Sequence, residues 1–137
     1  MSFWLVKSEP GAWSWDDQMR DSVTAWTGVR NHQASNFLKA MKLGDLCFFY
    51  HSVSEKSVVG VVEVVREAYA DPTADDPRWV CVDVKAVQAV PRPVTLADIK
   101  AVPELADIAL IRQSRLSVMP VSPDHWHLIG RMAGLSG

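Results

Sequence analysis

Two kinds of apolar pattern alternate along this chain. Residues 3–6, 46–51, 58–65, 79–90 and 116–121 are apolar in unbroken or alternating runs, the mark of strands. Between them, apolar residues recur at helical spacing. Trp15, Met19 and Val23 follow each other at intervals of four behind Ser14, a capping serine with Asp17 placed to complete a capping box. That spacing predicts a short helix. Ala34, Phe37, Leu38 and Met41 form a second stripe behind Asn31, a good N-cap, and Gly44-Asp45 ends it. Thr95 and Asp98 repeat the capping pattern, so a short helix is expected to about Val102, with Pro103 stopping it and a further helical turn within 104–111. Ser122-Pro123 opens a last helix with Trp126, Ile129 and Met132 or Ala133 inward and Gly134 closing it.

The turns complete this outline. Residues 52–57 are polar and join two strands into an antiparallel hairpin, and Gly60 marks a bulge or a close approach of another backbone. Residues 69–78 form an acidic, proline-bearing loop. Pro91 and Pro93 are expected to end the long strand before them, and 116–121 is expected at a sheet edge. The predicted fold class is α+β: a small barrel or strongly curved sheet with short helices packed at its ends, in a single domain over residues 1–137.

Composition narrows the picture. With 48% apolar residues among 137, a core forms without disulfides or metal. Cys47 and Cys81 lie in strand runs and read as buried free thiols; no CxxC occurs, and no metal site or cofactor is expected. No apolar run is long enough to span a membrane, and the first residues lack a signal-peptide core, so a cytoplasmic location is expected. A net charge of −2 argues against tight non-specific duplex binding, but not against a pocket that reads one nucleotide.

The richest local chemistry lies in residues 26–33. Trp26, Gly28, Arg30, Asn31 and His32 follow within a window, from Asp21 to Asp45, that contains no acidic residue between its ends. An aromatic beside amides and a cation at a helix N-terminus fits a flat, anionic ligand such as a nucleotide; the alternative is a core tryptophan followed by a solvated helix. Three other groups sit where elements begin or end: Lys7 and Ser8, Tyr50 to Ser52, and Arg112 to Ser117, the last in a second acid-free window with Arg115. Arg112 has Asp107 as an alternative partner. Trp4, Trp13, Trp15 and Trp126 read as packing residues. His125 and His127 flank Trp126, point to different helix faces and cannot share a metal. A serine–histidine pair from Ser8 and His51 lacks a nucleophile elbow, and no phosphate loop, dinucleotide fingerprint or zinc-deaminase spacing occurs.

Several of these stretches closely resemble the EVE domain family: residues 3–10, Trp26-Thr27-Gly28-Val29-Arg30-Asn31, Gly44-Asp45, Phe48-Phe49-Tyr50-His51-Ser52, Asp71-Pro72-Thr73-Ala74, Val82-Asp83-Val84 and Ser114-Arg115-Leu116-Ser117-Val118. They occur in order over nearly the whole chain, in the manner of a stand-alone bacterial-type member. The resemblance implies a PUA-like fold, a small mixed β-barrel with surrounding short helices, related to the YTH readers of modified bases. By that analogy Lys7 and Ser8 match a strand-end Lys-Ser, Trp26 a cage tryptophan and Trp79 a second aromatic position. The implied function is a non-catalytic reader that flips a modified base of DNA or RNA, modified cytosine first, into an aromatic pocket. Trp26, Ser8, Asn31, Tyr50, His51, Ser52 and Trp79 are expected at the base, and Lys7, Arg30, Arg115 and Ser117 at phosphate. The alternatives are an enzyme on a modified nucleotide or nucleoside, with His51 or Glu9 as base, and a protein-interaction module.

Overall fold

The computed structural model of the protein describes residues 1–135. Among them, six strands form one mixed sheet: β1 (Phe3–Ser8), β2 (Val23–Ala25), β3 (Leu46–His51), β4 (Ser57–Ala70), β5 (Val80–Thr95) and β6 (Val118–Val121). The order across the sheet is β2-β5-β4-β3-β1-β6. β1 and β3 run parallel, and the other pairings are antiparallel. The helices are α1 (Trp15–Asp21), α2 (His32–Ala40), α3 (Leu96–Lys100), α4 (Ala109–Arg112) and α5 (Pro123–Met132), with a 3-10 turn at Pro103–Leu105.

β1 and β3 explain their own unbroken apolar runs. Trp4, Leu5 and Val6, and Cys47 through His51, are all buried, so both faces of this parallel pair are covered. On one side Trp126 of α5 stacks on Phe48 at 3.8 Å and on Phe3 at 4.5 Å between ring centroids. On the other, Phe49 meets Trp15 edge-on at 5.2 Å and Trp26 at 5.5 Å. Asp45 ties the start of β3 to the N-terminal segment by accepting from Ser2 N–H and Trp4 Nε1–H, each at 3.0 Å. Cys47 and Cys81 are buried free thiols.

The expected caps form as written. Ser14 with Asp17 and Thr95 with Asp98 make reciprocal capping boxes, while Asn31 and Ser122 accept from Ala34 and His125 amides. Three expectations need correction. Met19 and Val23 do not share the buried face of α1; they are 51% and 46% exposed. The helix ends at Asp21, Ser22 turns the chain with φ 64°, and the inward face is Trp15 and Gln18. Val23, read as part of that helix, instead opens the edge strand β2, whose residues 23–25 pair to Asp83–Lys85 of β5. Nor do Pro91 and Pro93 end β5, which runs to Thr95. They fall between the Gly60–Ala89 and Val58–Val94 pairs, beyond the reach of β2, where a missing N–H costs no ladder bond.

Gly60 sits at a register shift, as its sequence context allowed, but what approaches it closely is a side chain and not another backbone. The β4–β5 register shifts beside it, and a Cβ built there would lie 2.5 Å from the Trp15 ring. The Trp15 indole therefore lies directly against the β4 backbone and fixes α1 on the sheet.

Candidate functional site

The ends of β1 and β2 open on the same side of the sheet and enclose a cleft of about 550 Å³. Its walls come from two segments. One is Lys7, Ser8 and Glu9 with the returning turn at Ala12 and Trp13; the other runs from Thr24 to Asn31, and Ser117 closes the gap between them.

The first wall is a strand end folded back on itself. Pro10-Gly11 turns the chain so that the amides of Ala12 and Trp13 both donate to the Glu9 carbonyl at 2.9 Å. Ser8 Oγ then donates to the Trp13 carbonyl, and the Trp13 indole donates to Gln18 Oε1 at 3.0 Å. Lys7 Nζ reaches Ser114 O at 2.8 Å and lies 5.9 Å from the Tyr50 ring centre. Burial lowers the Lys7 pKa from its ordinary value.

The second wall hangs on one buried carboxylate. Trp26 leaves β2 with its amide bonded to Val82 O at 2.8 Å, and Gly28 then adopts φ 86°. Asp71 reaches this turn from the far end of β4. Its side chain is 0% exposed and accepts from Gly28 N–H at 2.9 Å, Arg30 Nη1 at 3.0 Å, Thr73 N–H at 2.7 Å and Thr73 Oγ1 at 2.6 Å. Burial alone would raise the carboxyl pKa; the bonds from Thr73, Gly28 and Arg30 outweigh it and hold it at about 2. The window without acids in the sequence thus receives one from 43 residues away. Arg30 is neutralised by it, with Nη2 on Thr73 Oγ1 at 3.0 Å.

Of the expected residues, Lys7, Ser8, Trp26, Arg30, Asn31 and Ser117 come together at the cleft. The other five lie elsewhere. Tyr50 and His51 are buried behind the first wall, and Ser52 N–H donates to Ser8 O at 2.9 Å. His51 Nε2 accepts from Trp15 N–H at 2.9 Å and Nδ1 faces Glu55 Oε2 at 3.0 Å, so Nδ1 carries the proton and both ring nitrogens are engaged. Trp79 stacks on His32 at 4.8 Å, outside the cleft. Arg115 lies in an adjoining depression with Gln33, Gln113 and Asn31, the last shared with the cleft. Arg112 pairs with Asp107 at 2.8 Å. Glu9, considered only as the base of an enzyme, also lines the cleft; Trp13, read as packing, lines it too, and Thr24 and Thr27 were missed. The Pro10-Gly11 turn was the available signal for Trp13, since it folds residue 13 back beside residue 8.

Trp26 is 7% exposed, held edge-on by Phe49, so it shows the cleft a small part of its ring. Trp13 is less buried and gives the cleft a second aromatic. A concave site with two indoles and a few fixed polar groups suits a flat heteroaromatic ligand.

The EVE domain model matches residues 2–132. The chain belongs to the EVE domain family. It is 34% identical to thymocyte nuclear protein 1 of Homo sapiens over 162 aligned positions, covering 93% of this chain and 72% of that one. A solved protein of Rhodopseudomonas palustris is 51% identical, with a TM-score of 0.93 and coverage of 98% and 94% of the two chains. Human THYN1, solved in complex with 5-methylcytosine-containing DNA, is 33% identical with a TM-score of 0.90, each chain being covered in full (100%). The expected PUA-like α+β class of this EVE domain is therefore the observed one.

Proposed function

We propose that this EVE domain is a non-catalytic reader of modified cytosine in DNA, taking the base out of the stack into the cleft between its two walls. The observation that carries the reading is the pairing of Trp13 and Trp26 with Lys7, Ser8 and Asn31 around one cavity. The DNA complex of human THYN1, alike over the whole chain, supports the choice of polymer and base. Extrusion of a base costs a few kcal/mol, and stacking on an aromatic returns about 1–3 kcal/mol per base. Edge hydrogen bonds supply the remainder. Lys7 and Arg115 flank the cleft as phosphate contacts, and Arg30 acts by holding the second wall in place.

The test is binding to oligonucleotides that differ at one cytosine, methylated or plain, at stated salt. Wild-type protein is expected to prefer the methylated strand. Trp13→Ala and Trp26→Ala should each lower that preference by about tenfold. The ratio of the two affinities is the readout because a partly unfolded sample lowers both equally. A Trp26→Ala protein with an unchanged ratio would move the pocket elsewhere. A preference seen only in RNA strands would change the polymer and leave the pocket in place.

Arg115→Ala is expected to weaken binding to methylated and plain strands alike. It should also reduce the slope of log affinity against log salt by about one. A variant with the wild-type slope would take Arg115 out of the phosphate path.

A further inference from the structure

Bonds within the protein fix the hydrogen-bonding polarity of two side chains on the two walls of the cleft, Ser8 and Asn31. Ser8 Oγ gives its single proton to the Trp13 carbonyl, and no other donor reaches that carbonyl among the described residues. A hydroxyl has one proton and two lone pairs, so Ser8 turns an acceptor to any ligand. The backbone beside it is already used: Ser8 C=O accepts from Ser52 N–H and Lys7 N–H donates to Ser117 C=O, each at 2.9 Å. Asn31 and Trp26 on the other wall are opposite in kind. Asn31 Oδ1 accepts from Ala34 N–H at 2.9 Å to cap α2, which leaves the side-chain NH₂ as a donor. The indole of Trp26 is donor-only, and its Nε1 is not among the buried unpaired atoms of the described residues.

We infer that the cleft reads the 4-amino edge of cytosine and refuses the 4-keto edge of thymine and uracil. Cytosine places an amino donor beside two acceptors, N3 and O2. The amino group fits the Ser8 acceptor, and N3 or O2 fits the donors of the 26–31 wall. Thymine reverses the first two groups. Its O4 would face the Ser8 lone pairs and its N3–H would face the Asn31 NH₂, leaving four groups unpaired in a partly desolvated site. The distinction matters because 5-methylcytosine and thymine carry the same methyl group, so a methyl-sized space alone cannot separate them. This inference rests on the reading of the cleft as a base pocket.

The experiment measures binding to four strands identical except at one position: 5-methylcytosine, cytosine, thymine and 5-methylpyrimidin-2-one, which keeps the methyl group and lacks the 4-amino group. The 5-methylcytosine strand should bind at least about tenfold more tightly than the thymine and pyrimidinone strands. Asn31→Asp keeps the cap on α2, since aspartate serves as well at an N-cap, and replaces the donor by an acceptor. It should lower the 5-methylcytosine to thymine ratio by about tenfold or more, whatever the added charge does to both affinities. Equal binding of 5-methylcytosine and thymine by the wild-type protein, or a wild-type ratio in Asn31→Asp, would overturn the inference. Equal binding of cytosine and 5-methylcytosine, both above thymine, would leave amino recognition standing and remove the reading of methylation.

Discussion

Asp71→Asn is expected to unfold this protein about 2–3 kcal/mol more easily than wild type, the cost of breaking hydrogen bonds to a buried charged acceptor while its ion-pair partner Arg30 stays partly in solvent. The Asp71 carboxylate meets only donors: Gly28 N–H, Arg30, Thr73 N–H and the Thr73 hydroxyl. An asparagine turns an NH₂ toward some of them and removes the charge opposite Arg30. Urea denaturation at neutral pH checks this as a lower midpoint at unchanged slope. The pH dependence gives a second, independent check. The folded pKa of Asp71 is depressed to about 2, so its contribution is present above the unfolded pKa and disappears as pH falls through the folded one. The stability gap between wild type and Asp71→Asn should therefore narrow by about 2 kcal/mol between about pH 5 and pH 2. A gap that stays constant over that range would mean the carboxylate is not specially stabilised in the fold. Since Gly28 and Arg30 are in the second wall, binding should weaken along with stability.

Gly60→Ala should cost about 3 kcal/mol, at the upper end of overpacking penalties. The added methyl would lie 2.5 Å from two carbons of the Trp15 ring and 2.6 Å from a third. That ring is buried and has Phe49 against it, so it has no open side to retreat into. Its displacement would pull on the Trp15 N–H to His51 bond and on the start of α1, where Trp13 enters the cleft. The same collision predicts strong coupling. Trp15→Leu alone opens a cavity, but combined with Gly60→Ala it should cost less than the two separate losses added together. Strict additivity of the two in denaturation measurements would show that the contact is not the cause.

What could be read in advance divides by distance along the chain. Ser14 with Asp17, Asn31, Thr95 with Asp98, and Ser122 each bond within three residues, and all were legible because the chemistry is local. The runs that became β1 and β3 were legible because strands covered on both faces are apolar throughout. β2 was not: its three residues are half-exposed, and only pairing with β5 makes them a strand. The cleft followed the same rule. Lys7, Ser8, Trp26 and Asn31 carried recognisable types at element ends. Asp71 acts on Gly28 across 43 positions, and no property of residues 22–44 announces it. His51 looked available because its ring is chemically versatile; its burial behind the wall and its bond to the Trp15 amide are tertiary facts.

The sheet order also dictates when the molecule can be finished. β1 lies between β3 and β6, so the first strand of the sheet in sequence is clasped by residues 118–121, the last strand of the sheet in sequence. During synthesis it can pair with β3 as soon as residue 51 is free, but its other edge stays open until residues 118–121 have also emerged from the ribosome. Lys7 N–H waits for Ser117 O in the same way. An open strand edge is a template for pairing with other chains, so the nascent protein is most exposed to aggregation in this interval. Its cleft is also closed by Ser117, so competence to bind and completion of the fold arrive together.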